Sequence, residues 1–213
     1  MDTLCTLSQV KTLLGIAQND TSKNDLLNMY IKQASAKIEG FIGYSLKRTT
    51  YTEELHSVNN RQLLQLNHFP LQGVTSVTAN GQTVSDYKIL PEYARWGRLY
   101  RGNGWTGNYY TRGFTHDIVS GVWEIEVSYS AGYYLPDDVG YVEGKDDSLP
   151  YDIVSCCLDM VVQRYRYEEM GAIGLKAHTE GHISDTYGDG TSDIGLSESA
   201  KQLLSRYVWV GLA

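Results

Sequence analysis

From Asp25 onward the apolar residues Leu26, Leu27, Tyr30, Ile31, Ala34, Ile38, Phe41 and Ile42 recur at spacings of three and four. That is the period of one buried helical face. Lys23, Lys32 and Lys37 fall off the stripe, so the pattern predicts a long amphipathic helix that Gly43 can close. A shorter helix precedes it, because Thr6-Leu7-Ser8-Gln9 is a capping box ahead of Val10, Leu13 and Leu14, with Gly15 as the stop. A second long helix is predicted from the stripe Ile153, Val154, Cys157, Leu158, Val161, Val162 and Tyr165. Ser148 is its expected N-cap, Pro150 and Asp152 suit its first turn, and Gly171 and Gly174 end it. After a polar, glycine-containing stretch to Gly195, Ser197 caps a last helix carrying Leu203, Leu204 and Tyr207, followed by the apolar run Val208-Trp209-Val210-Gly211-Leu212-Ala213.

Between the helices the period changes to two. Trp123, Ile125, Val127 and Tyr129 alternate with Glu124, Glu126 and Ser128, which predicts a half-exposed strand over Val122 to Tyr129. Arg48 to Leu55 reads as a strand rich in threonine and tyrosine, and Leu63, Leu64 and Leu66 lead into another that ends at His68-Phe69-Pro70-Leu71. Val74 to Ala79 and Thr83 to Ile89 flank Asn80-Gly81, a hairpin signal because both turn positions need positive φ. The expected fold class is α+β and mainly helical: a bundle of two long helices plus shorter ones, with a small antiparallel sheet or hairpin insertion. Residues 1–213 are expected to form a single domain, with projecting loops at about 93–121 and 137–148 and a C-terminal helix and tail at 197–213.

Composition narrows the class. With 42% apolar residues in 213, a real core is available, and no apolar run approaches the ~20 residues of a bilayer span. The chain is expected to be soluble, without a signal peptide or membrane contact. Cys5 and the adjacent Cys156 and Cys157 have no CxxC spacing and read as reduced thiols, the pair packed within a helix.

The net charge of -7 is unevenly placed. Six acids face one lysine between Asp137 and Asp152, and five acids face no basic residue from His178 to Ala200. From Glu92 to Arg112 the balance inverts, with Arg95, Arg98, Arg101 and Arg112 against Glu92 alone. Net acidity argues against a dedicated DNA binder, whose affinity would come from phosphate neutralisation.

The candidate chemistries fail on spacing. His178-Thr-Glu-Gly-His182 sets two histidines at helical spacing, but Glu180 sits midway, where it would point away from both, and Gly181 weakens a helix. Asp185, Asp189 and Asp193 recur every fourth residue, whereas a calcium loop needs ligands at alternate positions. Gly102-x-Gly104-x-x-Gly107 has neither the preceding strand nor the following helix of a dinucleotide site. His56, His68 and His116 have no carboxylate or cysteine at a catalytic spacing, so no catalytic, cofactor or metal residue is assigned and no enzyme is expected. Arg95, Trp96, Arg98, Tyr100, Arg101 and Trp105 interleave arginine with aromatics, a composition that suits a subunit or partner interface better than nucleic acid on so acidic a chain.

The order of these motifs resembles the head-tail connector (adaptor, or head-completion) proteins of tailed bacteriophages. "IEVSYSAGYYLP" followed by "LPYDIVSCCLDMVVQRY" is the most specific part. "FPLQGVTSVTANGQ", "DYKILPEYARWGRLYR", the helix over Leu26 to Ile42 and "ISDTYGDG…LSESAKQLLSRY" follow the family's order too, while Asn103 to Gly121 and Asp137 to Ser148 are longer than the family pattern. The resemblance implies a structural virion protein at the neck: a ring of roughly twelve copies under the portal protein that extends the DNA channel and offers a platform for the stopper or tail. A tail-side neck or tail-completion ring is the alternative, and a cytosolic metal-binding enzyme a more distant one. In the adaptor reading the partners are self, portal, a stopper or tail-completion protein and, in passing, genomic DNA. Leu203, Tyr207, Val208, Trp209, Val210 and Leu212 are then expected to meet the portal, and Asp185, Asp189 and Asp193 to face the channel.

Overall fold

The computed structural model describes residues 2–57, 61–79, 81–105, 124–169, 177–180, 183–186 and 196–208. The chain divides into two compact units: residues Met1–Leu46 with Tyr134–Ala213, and the inserted Lys47–Tyr133.

The first unit is helical. Helix α1 (Leu7–Leu14) starts at the expected capping box, where Gln9 N–H donates to Thr6 Oγ1 (3.1 Å) and Thr6 N–H to Gln9 Oε1 (2.9 Å). Helix α2 (Asn24–Ile42) buries Leu27, Tyr30, Ile31, Ala34, Ser35, Ile38 and Ile42, the predicted stripe with Ser35 inside it. Lys11 is buried as well, and its Nζ donates to the carbonyl oxygens of Gln18 (3.1 Å) and Asp20 (2.7 Å), tying down the α1–α2 connection. Helix α3 (Pro91–Ala94) belongs to the insertion, and helix α4 (Tyr151–Glu169) packs on α1 and α2 through Ile153, Val154, Cys157, Leu158 and Val161. Helix α5 (Glu198–Leu204), capped by Ser197, lies on α4 with Leu204 buried, and the following 3-10 turn Ser205–Tyr207 adds Tyr207.

The inserted unit carries two antiparallel sheets. Strands β1 (Thr49–Ser57), β7 (Glu124–Ala131), β3 (Leu71–Ala79) and β4 (Gln82–Thr83) lie in that order in one; β2 (Leu63–Gln65), β6 (Arg98–Arg101) and β5 (Tyr87–Lys88) form the other. Alternation along β7 buries Ile125, Val127, Tyr129 and Ala131 against Leu64, Leu71, Val77, Leu99 and Trp105. The insertion's two ends lie side by side: Lys47 bridges Tyr133, and Arg48 N–H donates to Tyr133 O (2.7 Å). Gly132, the glycine of "SAGYYLP", takes φ +98 there, and a Cβ on it would meet Lys47 O at 2.4 Å.

Several expectations change. The α+β class stands, but strand content is comparable with helix content, so the fold is not clearly mainly helical. The expected strand Thr83 to Ile89 is two short pieces in different sheets, because after β4 the chain leaves the hairpin for β6. The polar stretch after α4 contains the antiparallel pair β8 (Ala177–Glu180) and β9 (Ile183–Thr186), so His178 sits on a strand rather than a helix, while His182 lies outside the described residues. Ser148 does not cap α4, which starts at Tyr151 with Ile153 and Val154 N–H donating to Pro150 O. In the glycine-rich segment Gly102 and Asn103 are exposed but Gly104 and Trp105 are buried, Trp105 to 1% exposure; residues 106–123 lie outside the described set.

Candidate assembly surfaces

The segment from Tyr134 to Pro150, which contains the expected projecting loop at about 137–148, is hydrogen-bonded to itself along its length. Asp138 Oδ2 accepts Leu135 N–H (2.8 Å), and the Asp138 N–H returns to Leu135 O (2.8 Å). Tyr141 N–H reaches Asp138 O, Lys145 N–H reaches Val142 O, and Ser148 N–H reaches Lys145 O. The buried Ser148 hydroxyl accepts Val142 N–H (3.0 Å), while Tyr134 N–H donates to Asp147 O and its carbonyl accepts Leu149 N–H. Gly140 lies flat against the Tyr134 ring, where a Cβ would come within 2.6 Å of Cε1.

What this rigid loop presents is partly apolar: Val139 is fully exposed, and Val142 and Tyr151 are 47% and 57% exposed. Asp137, Glu143 and Asp146 stand exposed around them. A preorganised loop holding valines in water is the form of a binding surface, since the ordering entropy is already spent.

The arginine-aromatic segment is more mixed than its composition suggests. Arg95 is exposed and lies over the Trp96 ring (5.3 Å), Arg98 Nε donates to Gln65 Oε1 (3.0 Å), and Arg101 pairs with Asp86 (2.8 Å). Tyr100 stacks on Tyr93, whereas Trp105 is a core residue donating Nε1–H to Leu99 O (3.1 Å). Of the C-terminal set, Tyr207 is buried against α4 with its hydroxyl near Asp152 Oδ2 (3.4 Å), beside the Arg206–Asp152 ion pair (3.3 Å). Leu203 and Val208 are half-buried; Trp209, Val210 and Leu212 lie outside the described residues, as do Asp189, Asp193 and His182. Asp185 lies on β9, opposite His178 in backbone register.

Sequence reasoning missed a polar cluster in the inserted unit. In β1, Thr52 and Glu53 together face Ser128 alone, a one-residue bulge with Glu53 at φ +53. Strict alternation from Tyr51 would turn Leu55 inward. The bulge turns Glu54 and His56 inward instead and leaves Leu55 58% exposed. The Glu54 carboxylate accepts hydrogen bonds from His56 Nε2–H (2.6 Å), Asn67 N–H (3.1 Å) and Tyr129 O–H (2.7 Å), with His68 Nε2 at 3.7 Å. His68 stacks on Tyr51 at 3.7 Å, and its N–H donates to Tyr129 Oη. Burial pushes the Glu54 pKa up, but the three hydrogen bonds outweigh it and hold the carboxyl below its ordinary range. Burial and then the neighbouring carboxylate push the Tyr129 phenol far up. The carboxylate has three donors and Tyr129 is fully buried, so the cluster fastens a bulge rather than meeting a substrate.

Among the described residues no group of three histidines, cysteines or carboxylates could hold a metal, and no helix is long and apolar enough to cross a membrane. The fold these surfaces belong to is an α+β fold of helices with two small antiparallel sheets. The family model "Head completion protein" matches residues 3–170, and the chain belongs to that family of virion structural proteins, which are not enzymes. No curated protein matches the chain. Among solved structures it is similar to a chain of the neck of an empty gene transfer agent particle computed with C6 symmetry, at 16% identity over 99% of this chain and 92% of that one, TM-score 0.53. A chain of the neck of the native particle computed with C12 symmetry is similar at 14% identity over 99% and 91%, TM-score 0.49.

Proposed function

We propose that this head completion protein is the adaptor subunit of the neck: about twelve copies form a ring under the portal, extend the DNA channel and carry the stopper or tail. The observation that carries this reading is the hydrogen-bonded Tyr134–Pro150 loop with Val139, Val142 and Tyr151 in solvent. A closed ring needs two different patches per subunit. The acidic, apolar loop supplies one, and the arginine-aromatic segment of Arg95, Trp96, Arg98, Tyr100 and Arg101, with Arg95 exposed, supplies the other. The neck that shares the fold was computed with sixfold symmetry, which a twelve-membered ring obeys. Helix α5 is anchored on α4 by Leu204 and Tyr207, and we assign portal contact to Leu203, Val208 and the Trp209, Val210 and Leu212 that follow. Asp185, Asp189 and Asp193 face the channel, where like charge lets DNA slide.

The test is imaging of the purified chain mixed with portal, alongside the double variant Val139→Asp, Val142→Asp. Both valines are exposed, so stability should change by no more than about 0.5 kcal/mol, while rings on the portal disappear. The expected images have the loop at subunit boundaries, residues 197–213 on the portal and the aspartates toward the channel. Rings that form as well with the variant, or that dock on the tail instead, would overturn this reading.

A further inference from the structure

Cys5 and Cys157 are 152 positions apart in sequence, yet their Sγ atoms lie 3.4 Å from each other. Both side chains are buried, in the core formed by the segment before α1 together with α2 and α4. Ser35 of α2 completes the site: its Oγ is 3.7 Å from Cys157 Sγ, accepts Leu4 N–H (3.0 Å) and donates to Ile31 O (2.8 Å). A third thiol, Cys156, is one residue from Cys157 but is not in this contact; its carboxylate neighbours are Asp159 and Asp152. The arrangement therefore selects one pair out of three cysteines.

We propose that Cys5 and Cys157 are a latent disulfide, closed by a peroxide, that staples the segment ahead of α1 to α4. The two sulfurs must approach by roughly 1.4 Å to reach bonding distance. Cys5 can supply this shift because it sits in a bend ahead of the Thr6 cap, outside the hydrogen-bond ladder of α1. The pair is also polarised. The hydrogen bond from Cys5 S–H, followed by burial, pushes the Cys5 thiol far up, and the same bond draws Cys157 down against its own burial. Cys157 is thus the more acidic of the two thiols and the one that ionises first.

The chemistry balances. Cys157, ionised, attacks one oxygen of hydrogen peroxide, the O–O bond breaks, and the leaving hydroxide takes up the proton Cys157 gave up to depart as water, with Cys157 now a sulfenic acid. The Cys5 sulfur then attacks the Cys157 sulfur and displaces its oxygen, which leaves as water with the proton released from Cys5. Two thiols lose two electrons and two protons, and one peroxide becomes two waters. In oxidising surroundings such a bond can persist, and in reducing ones the pair stays open.

The experiment oxidises the purified full-length chain with hydrogen peroxide, denatures it, blocks free thiols with N-ethylmaleimide and maps the peptides by mass. One adduct per chain is expected in place of three, on Cys156, together with a linked Cys5–Cys157 peptide. The melting temperature should rise by roughly 5–10 °C and return with dithiothreitol, since the bond closes a long loop. Cys156→Ser should keep the bond. Cys5→Ser should lose it and leave a sulfenic acid on Cys157 that dimedone traps. Three adducts after oxidation, a bond that involves Cys156, or bonds only between chains would overturn the assignment. The wild-type map decides even where a variant fails to fold, and it does not depend on where the protein docks.

Discussion

The helical unit and the inserted sheet unit both bury polar groups and both use left-handed glycines, but they differ in how much one residue decides. In the helical unit Lys11 is met by carbonyls seven and nine residues on, and Ser35 donates to the carbonyl of Ile31 within its own helix while accepting Leu4 N–H from the segment ahead of α1. Gly43 closes α2 at φ +92 with nothing within 4 Å of a hypothetical Cβ. In the sheet unit the fits are long-range. Gly132 stands against the Lys47 backbone, and Glu54 meets Tyr129, 75 residues away. Helices satisfy their own backbone, so their faults stay local; a sheet shares its register, so its faults spread.

The largest expected effect tests that contrast directly. Gly43→Ala should cost about 1–2 kcal/mol, the left-handed penalty alone. Gly132→Ala carries the same penalty plus overlap with the Lys47 carbonyl, for a loss of about 3–5 kcal/mol. Urea unfolding of the two variants measures both. Equal losses would mean that the insertion's ends relax as freely as a helix terminus, and the contrast would fail.

A smaller effect, about 2 kcal/mol, is expected for Glu54→Gln, which keeps the shape but removes the charge that three donors address. The pH dependence has a definite sign. Because the folded-state pKa of Glu54 is depressed, its contribution is fully present above the ordinary carboxylate pKa of about 4.3 and is lost as pH falls through the lower folded value. Wild type and Glu54→Gln should therefore converge in stability as pH drops below about 4. A gap that persists undiminished at pH 2 would show that packing, not the carboxylate charge, fastens the bulge.

The same contrast decides what could be read from the sequence. The α2 stripe, the α1 capping box and the Ser197 cap are visible because a helix writes its period and its ends into adjacent residues. The alternation of β7 is visible for the same reason, and the strand runs two residues beyond Tyr129 to Ala131. The Glu54 cluster is not: His56 and Glu54 share a face in any strand, but only the bulge turns that face to the core, and bulges leave no mark in the period. Trp105 was hidden by its glycine-rich neighbours, which suggested a loop where the chain packs. The acidity of the Asp137–Asp152 region is visible in the sequence. Val139, Val142 and Tyr151 were not singled out, because an exposed valine and a buried one look alike until the loop's hydrogen bonds are known.

Ser148 gives the smallest and most discriminating effect. As an N-cap of α4 its hydroxyl would hold amides of the first helical turn; in the fold it accepts Val142 N–H, and the first amides of α4 go to Pro150 O instead. Ser148→Ala should therefore cost about 1 kcal/mol and act on the loop alone. Amide hydrogen exchange separates the two roles: Val142 should exchange roughly fivefold faster, with Ile153 and Val154 unchanged. Faster exchange at Ile153 and Val154 with Val142 unaffected would restore the capping role and remove one of the bonds that hold the valines outward. Loss of protection at Val142 with weaker assembly on the portal would tie the order of the loop to the contact it makes, since Ser148 itself is buried.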